Sequence, residues 1–111
     1  MTDLFNYQSE IEEEQLTPKQ RAFYDLDARI QRAEQGNKED LDELMNDDDY
    51  RVRELVAHHG YAIHLNRLVY DDDATVRGEV AAHGRKKDLD ILKNDRDPKI
   101  KKYAKKLLGA M

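Results

Sequence analysis

The sequence predicts an all-α protein, a short right-handed α-solenoid of three 24-residue units with an N-terminal capping helix. Three observations carry that prediction. First, LDELMNDDDYRVRELVAHHG, beginning at Leu41, recurs as LNRLVYDDDATVRGEVAAHG from Leu65, and LDILKNDRDPKIKKYAKKLLG from Leu89 is a third, drifted copy, so the spacing is 24 residues (65 − 41 and 89 − 65). Second, the register holds in many columns, among them Leu44, Leu68 and Leu92, then Asp47, Asp71 and Asp95, then Val52, Val76 and Ile100. Third, each copy joins a short LxxL turn to a segment of helical apolar spacing that closes near a glycine. A fixed period of this length is the mark of stacked units, each of which buries its apolar face only against its neighbours.

The totals agree with such an array. A chain of 111 residues is the size of one domain. Hydrophobic and charged residues each make up 39%, and so large a charged share suits a thin stack with much surface per residue. The absence of cysteine excludes a disulfide framework, a thiolate nucleophile, an iron–sulfur cluster and a cysteine zinc site. MTDLFNYQSEIEEE, at the start, has no basic segment followed by an apolar stretch, and no run approaches the roughly 20 apolar residues of a membrane span. The expectation is a soluble cytoplasmic protein that does not contact membranes.

Taken in order, residues 1–16 read as a flexible or frayed acidic arm, because their apolar residues are irregularly spaced. The remainder, 17–111, reads as one helical-repeat domain. Thr17 can cap a helix, Pro18 suits its first position and Gln20 completes a capping box. Phe23, Leu26, Ile30 and Ala33 then share one face, and Gly36 ends the helix. Arg29, Ala33 and Gly36 fall on the columns of Arg53, Ala57 and Gly60, so 17–40 is a capping helix or a degenerate unit. Units follow at 41–64, 65–88 and 89–111. In each, LxxL is one helical turn, too short for a full α-helix. The aspartate-rich run after it turns the chain and caps the next helix. That helix presents Val52 and Val56, Val76 and Val80, or Ile100, Ala104, Leu107 and Leu108 to the core.

Candidate chemistry is sparse. Asp47–Asp49 and Asp71–Asp73 suggest a hard cation, yet neither run has the glycine or the distal glutamate of a calcium loop. Arginine follows closely in both. The expectation is a structural ladder between units, made of Asp49, Arg53, Asp73, Arg77, Asp97 and Lys101, with the aspartates also favouring the positive ends of helix dipoles. Among the four histidines, His59 and His83 share a column one residue before a terminal glycine, where a ring can meet the last carbonyls of a helix. His58 and His64 are not repeated, and no carboxylate stands at ligand spacing. No nucleophilic triad or phosphate loop is present. No enzyme activity, metal or cofactor is expected.

Charge is unevenly distributed. Residues 1–50 carry 5 Lys/Arg against 15 Asp/Glu, a net of −10, and residues 51–111 carry 14 against 9, a net of +5. One end of a stack is thus acidic and the other basic, which suits weak self-association through the two ends or a partner of mixed charge. Arg85, Lys86 and Lys87 are candidate phosphate contacts, joined by the lysines of 99–106 in a basic C-terminal patch.

The motif LxxLxxDxDxxVRxxVAxHG resembles the units of leucine-rich-repeat-variant and HEAT-like helical arrays over residues 41–108, and more weakly over 17–40. The 24-residue length is nearer to the former, whose units alternate a short 3₁₀ helix with an α-helix. Here His59-Gly60 and His83-Gly84 stand where that group tends to place Asn-Pro. The resemblance implies a scaffold for binding another protein, with DNA binding known in some HEAT-like members. The first expectation is therefore a non-catalytic protein–protein interaction module. Its surface would be the outward positions that differ between units: Arg51, Glu54 and His58, then Thr75, Glu79 and Ala82, then Lys99, Lys102 and Lys106. A second reading is a nucleic-acid binder using the basic C-terminal unit, and a third is a small acidic inhibitor that presents residues 1–50 as a decoy.

Overall fold

The computed structural model describes residues 16–111, so the expected acidic arm lies, apart from Leu16, outside the described residues. Every regular element among these residues is an α-helix. They are α1 (Pro18–Gln35), α2 (Lys38–Leu44), α3 (Tyr50–His59), α4 (Ala62–Leu68), α5 (Ala74–Ala82), α6 (Lys86–Leu92) and α7 (Pro98–Gly109). The longer helices pack in the order α1 on α3, α3 on α5 and α5 on α7, while the short helices bridge consecutive long ones. No helix among the described residues is long and apolar enough to cross a membrane.

Local sequence explains where α1 begins and ends. Thr17 Oγ1 accepts from the Gln20 N–H at 3.1 Å, and Gln20 Oε1 accepts from the Thr17 N–H at 3.0 Å, which satisfies two donors that the first turn leaves without partners. Its apolar face differs from the expected stripe. Ala33 is fully buried, and Leu26 and Ile30 pack against the core, but Phe23 is 64% exposed. The reason is length: α1 has 18 residues and α3 has 10. Because the two helices meet at their C-terminal ends, the first turns of α1 extend past α3.

The short helices correct a second expectation. Each is a seven-residue α-helix instead of a 3₁₀ helix or a single turn. They start three residues before each LxxL, so the frame drawn at Leu41, Leu65 and Leu89 cuts through all three. Asn37 caps the first by accepting from the Glu39 and Asp40 N–H groups at 3.0 and 3.3 Å, whereas Tyr61 and Arg85, at the same place in the later units, make no side-chain cap bond. An amphipathic α-helix this short is sustained by packing, not by propensity. Leu41 and Leu44, Leu65 and Leu68, and Leu89 and Leu92 all lie in the core. They meet Val52, Val56, Val76, Val80, Ile100 and Ala104 from the long helices.

The helix ends interlock through histidine. His59 Nε2 donates to the Ala33 carbonyl at 2.7 Å, and His83 Nε2 donates to the Ala57 carbonyl at 2.7 Å. These are carbonyls in the last turn of a helix, as the sequence suggested, and the helix is the preceding long one. The rings occupy the space that a side chain on Gly36 or Gly60 would fill: a Cβ on Gly60 would stand 2.6 Å from the His83 ring. Gly60 and Gly84 have φ of 79° and 70°, but nothing lies within 4 Å of a Cβ on Gly84. Gly84→Ala therefore isolates the cost of the left-handed backbone, about 1–2 kcal/mol. Gly60→Ala should cost at least about 1 kcal/mol more, because it also displaces a ring held in a hydrogen bond. Urea denaturation of both variants measures the difference; equal costs would mean that the histidine contact contributes nothing.

Candidate functional site

The aspartate and arginine columns form a ladder that supports the candidate surface, with a different acid as partner from the one expected. Arg53 contacts both Asp71 oxygens, at 2.8 and 3.2 Å, and Arg77 contacts both Asp95 oxygens, at 2.8 and 3.0 Å. Arg29 reaches Asp47 at 2.7 Å. Each rung therefore joins a long helix to the first repeated aspartate of the next turn. Asp49, Asp73 and Asp97 instead accept from the N–H groups of Arg51, Thr75 and Lys99, which places them as N-caps of α3, α5 and α7. Lys101 is exposed and joins no rung among the described residues. Geometry explains the division. The capping aspartate must fold back on its own helix, which leaves the residue two positions earlier to face the neighbouring unit. That earlier residue is fixed by a further bond, since Asp47, Asp71 and Asp95 accept from the N–H groups of Asp49, Asp73 and Asp97 at 2.9, 2.9 and 2.8 Å.

Each inner arginine also anchors the turn behind it. Arg53 donates to the Asp47 carbonyl at 2.7 Å, and Arg77 donates to the Asp71 and Asp72 carbonyls at 2.8 and 3.1 Å. Asp71 holds Arg53 more firmly charged than a free guanidinium, against the opposing effect of burial, and Asp95 does the same for Arg77. Burial pushes the Asp95 carboxyl up, but the bonds from Arg77 and the Asp97 N–H outweigh it and leave Asp95 below the usual carboxylate range. Asp49 is lowered as well, chiefly by Arg51.

These directions set an acid limit. A carboxylate with a depressed folded pKa adds stability that is present above its unfolded value, near 3.9, and is lost as pH falls through the folded value. The melting temperature should stay level from about pH 7 to about pH 5 and drop below about pH 4. Asp95→Asn should flatten that drop when melts are followed by circular dichroism, and an unchanged slope would remove Asp95 from the account.

Between successive aspartate turns lies an open depression of about 600 Å³, lined by Asp47, Asp48, Asp71 and Asp72 with Arg53, Arg67 and Tyr70. Three of those groups, Asp47, Asp71 and Arg53, are already committed to the ladder. Among the described residues no group of three or more histidine, aspartate or glutamate side chains is placed to hold a metal ion.

The expected binding ridge lies across the outer faces of α3, α5 and α7. Arg51, His58, Thr75, Ala82, Lys99, Lys102 and Lys106 are exposed, and Glu54 and Glu79 are partly so. Contacts join its members across helices: His58 Nδ1 is 3.5 Å from Glu79 Oε2. Burial, and then the nearby Glu79, pushes the Glu54 carboxyl above its ordinary value. Arg51 is held by Asp49 through both its Nε, at 3.0 Å, and its Nη2, at 2.8 Å. On α7 the lysines make no ion pair among the described residues.

The candidate phosphate contacts are engaged within the fold. Arg85 contacts both oxygens of the fully buried Asp88, at 2.7 and 3.0 Å, and also meets Asn66. Lys86 binds Asp90 and Lys87 binds Asn66, each at 2.9 Å. His64 is fully buried; its Nε2 meets Asp42 Oδ1 at 2.7 Å, and its Nδ1 has no partner among the described residues. The Asp42 carboxyl lies below its usual range because of this bond. The Asp88 and His64 pairs escaped the sequence reading because their column changes from unit to unit: Asp40, His64, Asp88.

Compared with family models, with curated proteins and with solved structures, the chain matches none.

Proposed function

We propose that the chain is a non-catalytic protein-interaction module, a short right-handed α-solenoid of three 24-residue units closed by α1 at one end and α7 at the other. The proposal combines the 24-residue period with the resemblance to leucine-rich-repeat-variant and HEAT-like arrays, whose extended faces suit them to bind other proteins. One observation carries it. Columns that repeat, such as Val52/Val76, Arg53/Arg77 and His59/His83, are committed to the core or to contacts between units, whereas the outward columns differ at every unit and remain accessible. A surface freed from structural duty can be specified by a partner.

The test is capture from the native host's lysate on immobilised protein, with nuclease and at low and high salt, beside a Thr75→Glu/Ala82→Glu variant. Proteins retained by the wild type through nuclease and salt, and lost by the variant, support the reading. Equal retention by both would remove the ridge from the function. The five lysines of α7, without ion pairs among the described residues, favour a nucleic-acid contact as the second reading. Material that disappears on nuclease treatment would make that reading the working one.

A further inference from the structure

The outward columns continue into α1. The register is anchored by Ala33, Ala57 and Ala81 in the core and by Gly36, Gly60 and Gly84 at positive φ. It places Asp27 in the column of Arg51, Thr75 and Lys99, and Glu34 in the column of His58, Ala82 and Lys106. Between them, Ile30 shares a column with Glu54, Gly78 and Lys102. Asp27 and Glu34 are exposed. Asp27 accepts only from the Gln31 amide among the described residues, and Glu34 has no ion pair among them. The nearby cations do not neutralise these acids, because Arg29 is bound to Asp47, and Arg32 to Asp40 and Glu43.

At the far end of the same face, α7 carries no acidic residue, and Lys99, Lys102 and Lys106 are exposed. In the middle Arg51 is held by Asp49, Glu79 lies 3.5 Å from His58, Glu54 is partly exposed, and a Cβ on Gly78 would meet nothing within 4 Å. The two ends of the face are thus opposite in charge, acidic on α1 and basic on α7.

We infer that this face pairs with the same face of a second copy of the chain, about a two-fold axis that runs parallel to the long helices between α3 and α5. Rotation about such an axis keeps the helix direction and reverses the stacking order, so α1 of each copy lies on α7 of the other. The contact is isologous, and every interaction occurs twice. Lys99 meets Asp27, Lys106 meets Glu34, and the alkyl stem of Lys102 covers Ile30. In the centre Glu54 points to the gap at Gly78. A second copy is favoured because this order of charges is its own complement when reversed. End-to-end stacking lacks that match: the ladder column ends in Lys101 on one side, and on the other Phe23 stands where the receiving aspartate would be.

The inference rests on the ridge being an interaction surface, and charge-reversal variants test it separately from that reading. Sedimentation velocity of the full chain, from about 10 μM to about 1 mM, should show a monomer–dimer equilibrium. It should weaken between about 0.1 M and about 1 M salt, where the screening length falls from about 10 to about 3 Å. Asp27→Lys/Glu34→Lys makes both ends of the face basic, and Lys99→Glu/Lys106→Glu makes both acidic. Each variant alone should self-associate at least about tenfold more weakly, and an equimolar mixture should recover a dimer.

Circular dichroism melts establish that the variants fold. Should either fail, Asp27→Asn/Glu34→Gln and Lys99→Gln/Lys106→Gln carry the same comparison through loss of self-association. A chain monomeric at every concentration, a dimer indifferent to both variants, or a mixture that does not associate would overturn the inference. A monomer that still captures a protein through the ridge leaves the proposed function standing.

Discussion

Replacing Arg77 with methionine is expected to lower the unfolding free energy by about 3–5 kcal/mol, the cost of leaving a buried charge without its partner. The Arg77 side chain is 4% exposed and that of Asp95 is 6% exposed. Methionine fills much of the volume but leaves the Asp95 carboxylate without a cation and the Asp71 carbonyl without the Arg77 donor, while the Asp97 N–H still reaches Asp95 and Arg96 still reaches the Asp72 carbonyl. The ladder supplies its own control. Side-chain exposure of the arginine rises from 4% at Arg77 to 16% at Arg53 and 33% at Arg29, so water can replace the lost donor most readily at Arg29. Arg29→Met should cost roughly 0–1 kcal/mol, as exposed pairs do, with Arg53→Met between the two. The double variant Arg77→Met/Asp95→Asn should cost less than the sum of the two single variants, because it removes the orphaned charge together with its partner. Denaturant titrations give all five values. A cost near zero at Arg77, or no gradient along the ladder, would show that the rungs do not hold the units together.

Val80→Asp is expected to unfold the protein outright. Val80 is fully buried, as is Val56 at the same place in the previous unit. A carboxylate at either site would be enclosed with no cation to meet it, and such a group costs several kcal/mol even when it neutralises itself by taking a proton. Small domains have only about 5–15 kcal/mol in total. The long helices also pack in sequence, α3 on α5 and α5 on α7, so losing one of these contacts exposes the next. Ala82→Asp, two residues along the same helix but exposed, should shift stability by about 0.5 kcal/mol or less. Far-UV circular dichroism and a thermal melt decide the matter; a Val80→Asp protein with a native spectrum and melting temperature would refute the core assignment.

The sequence by itself determined the helical class, the span of α1 from its capping box and terminal glycine, and the buried leucine and valine columns. Those features follow from short-range rules of spacing, capping and backbone preference, which act within a turn or two of one helix. It also marked Asp47, Asp71 and Asp95 as strictly repeated, along with Asp49, Asp73 and Asp97. Only the tertiary structure decided which of the two columns caps and which reaches across, because both kinds of residue look alike until the next unit is in place. The same holds for His59 and His83. Their repetition signalled a structural role, but the carbonyl they meet lies 26 residues earlier, and its position depends on how the helices stack. Phe23 shows the opposite failure: its spacing is that of a core residue, yet α1 outruns its neighbour and leaves it in solvent. Likewise, LxxL read as a single turn because the three residues before it share no repeated apolar position, and seven-residue helices form there because the core captures their leucines. Whatever depends on the chain's own neighbours was legible in the sequence, and whatever depends on the adjacent unit was settled by packing.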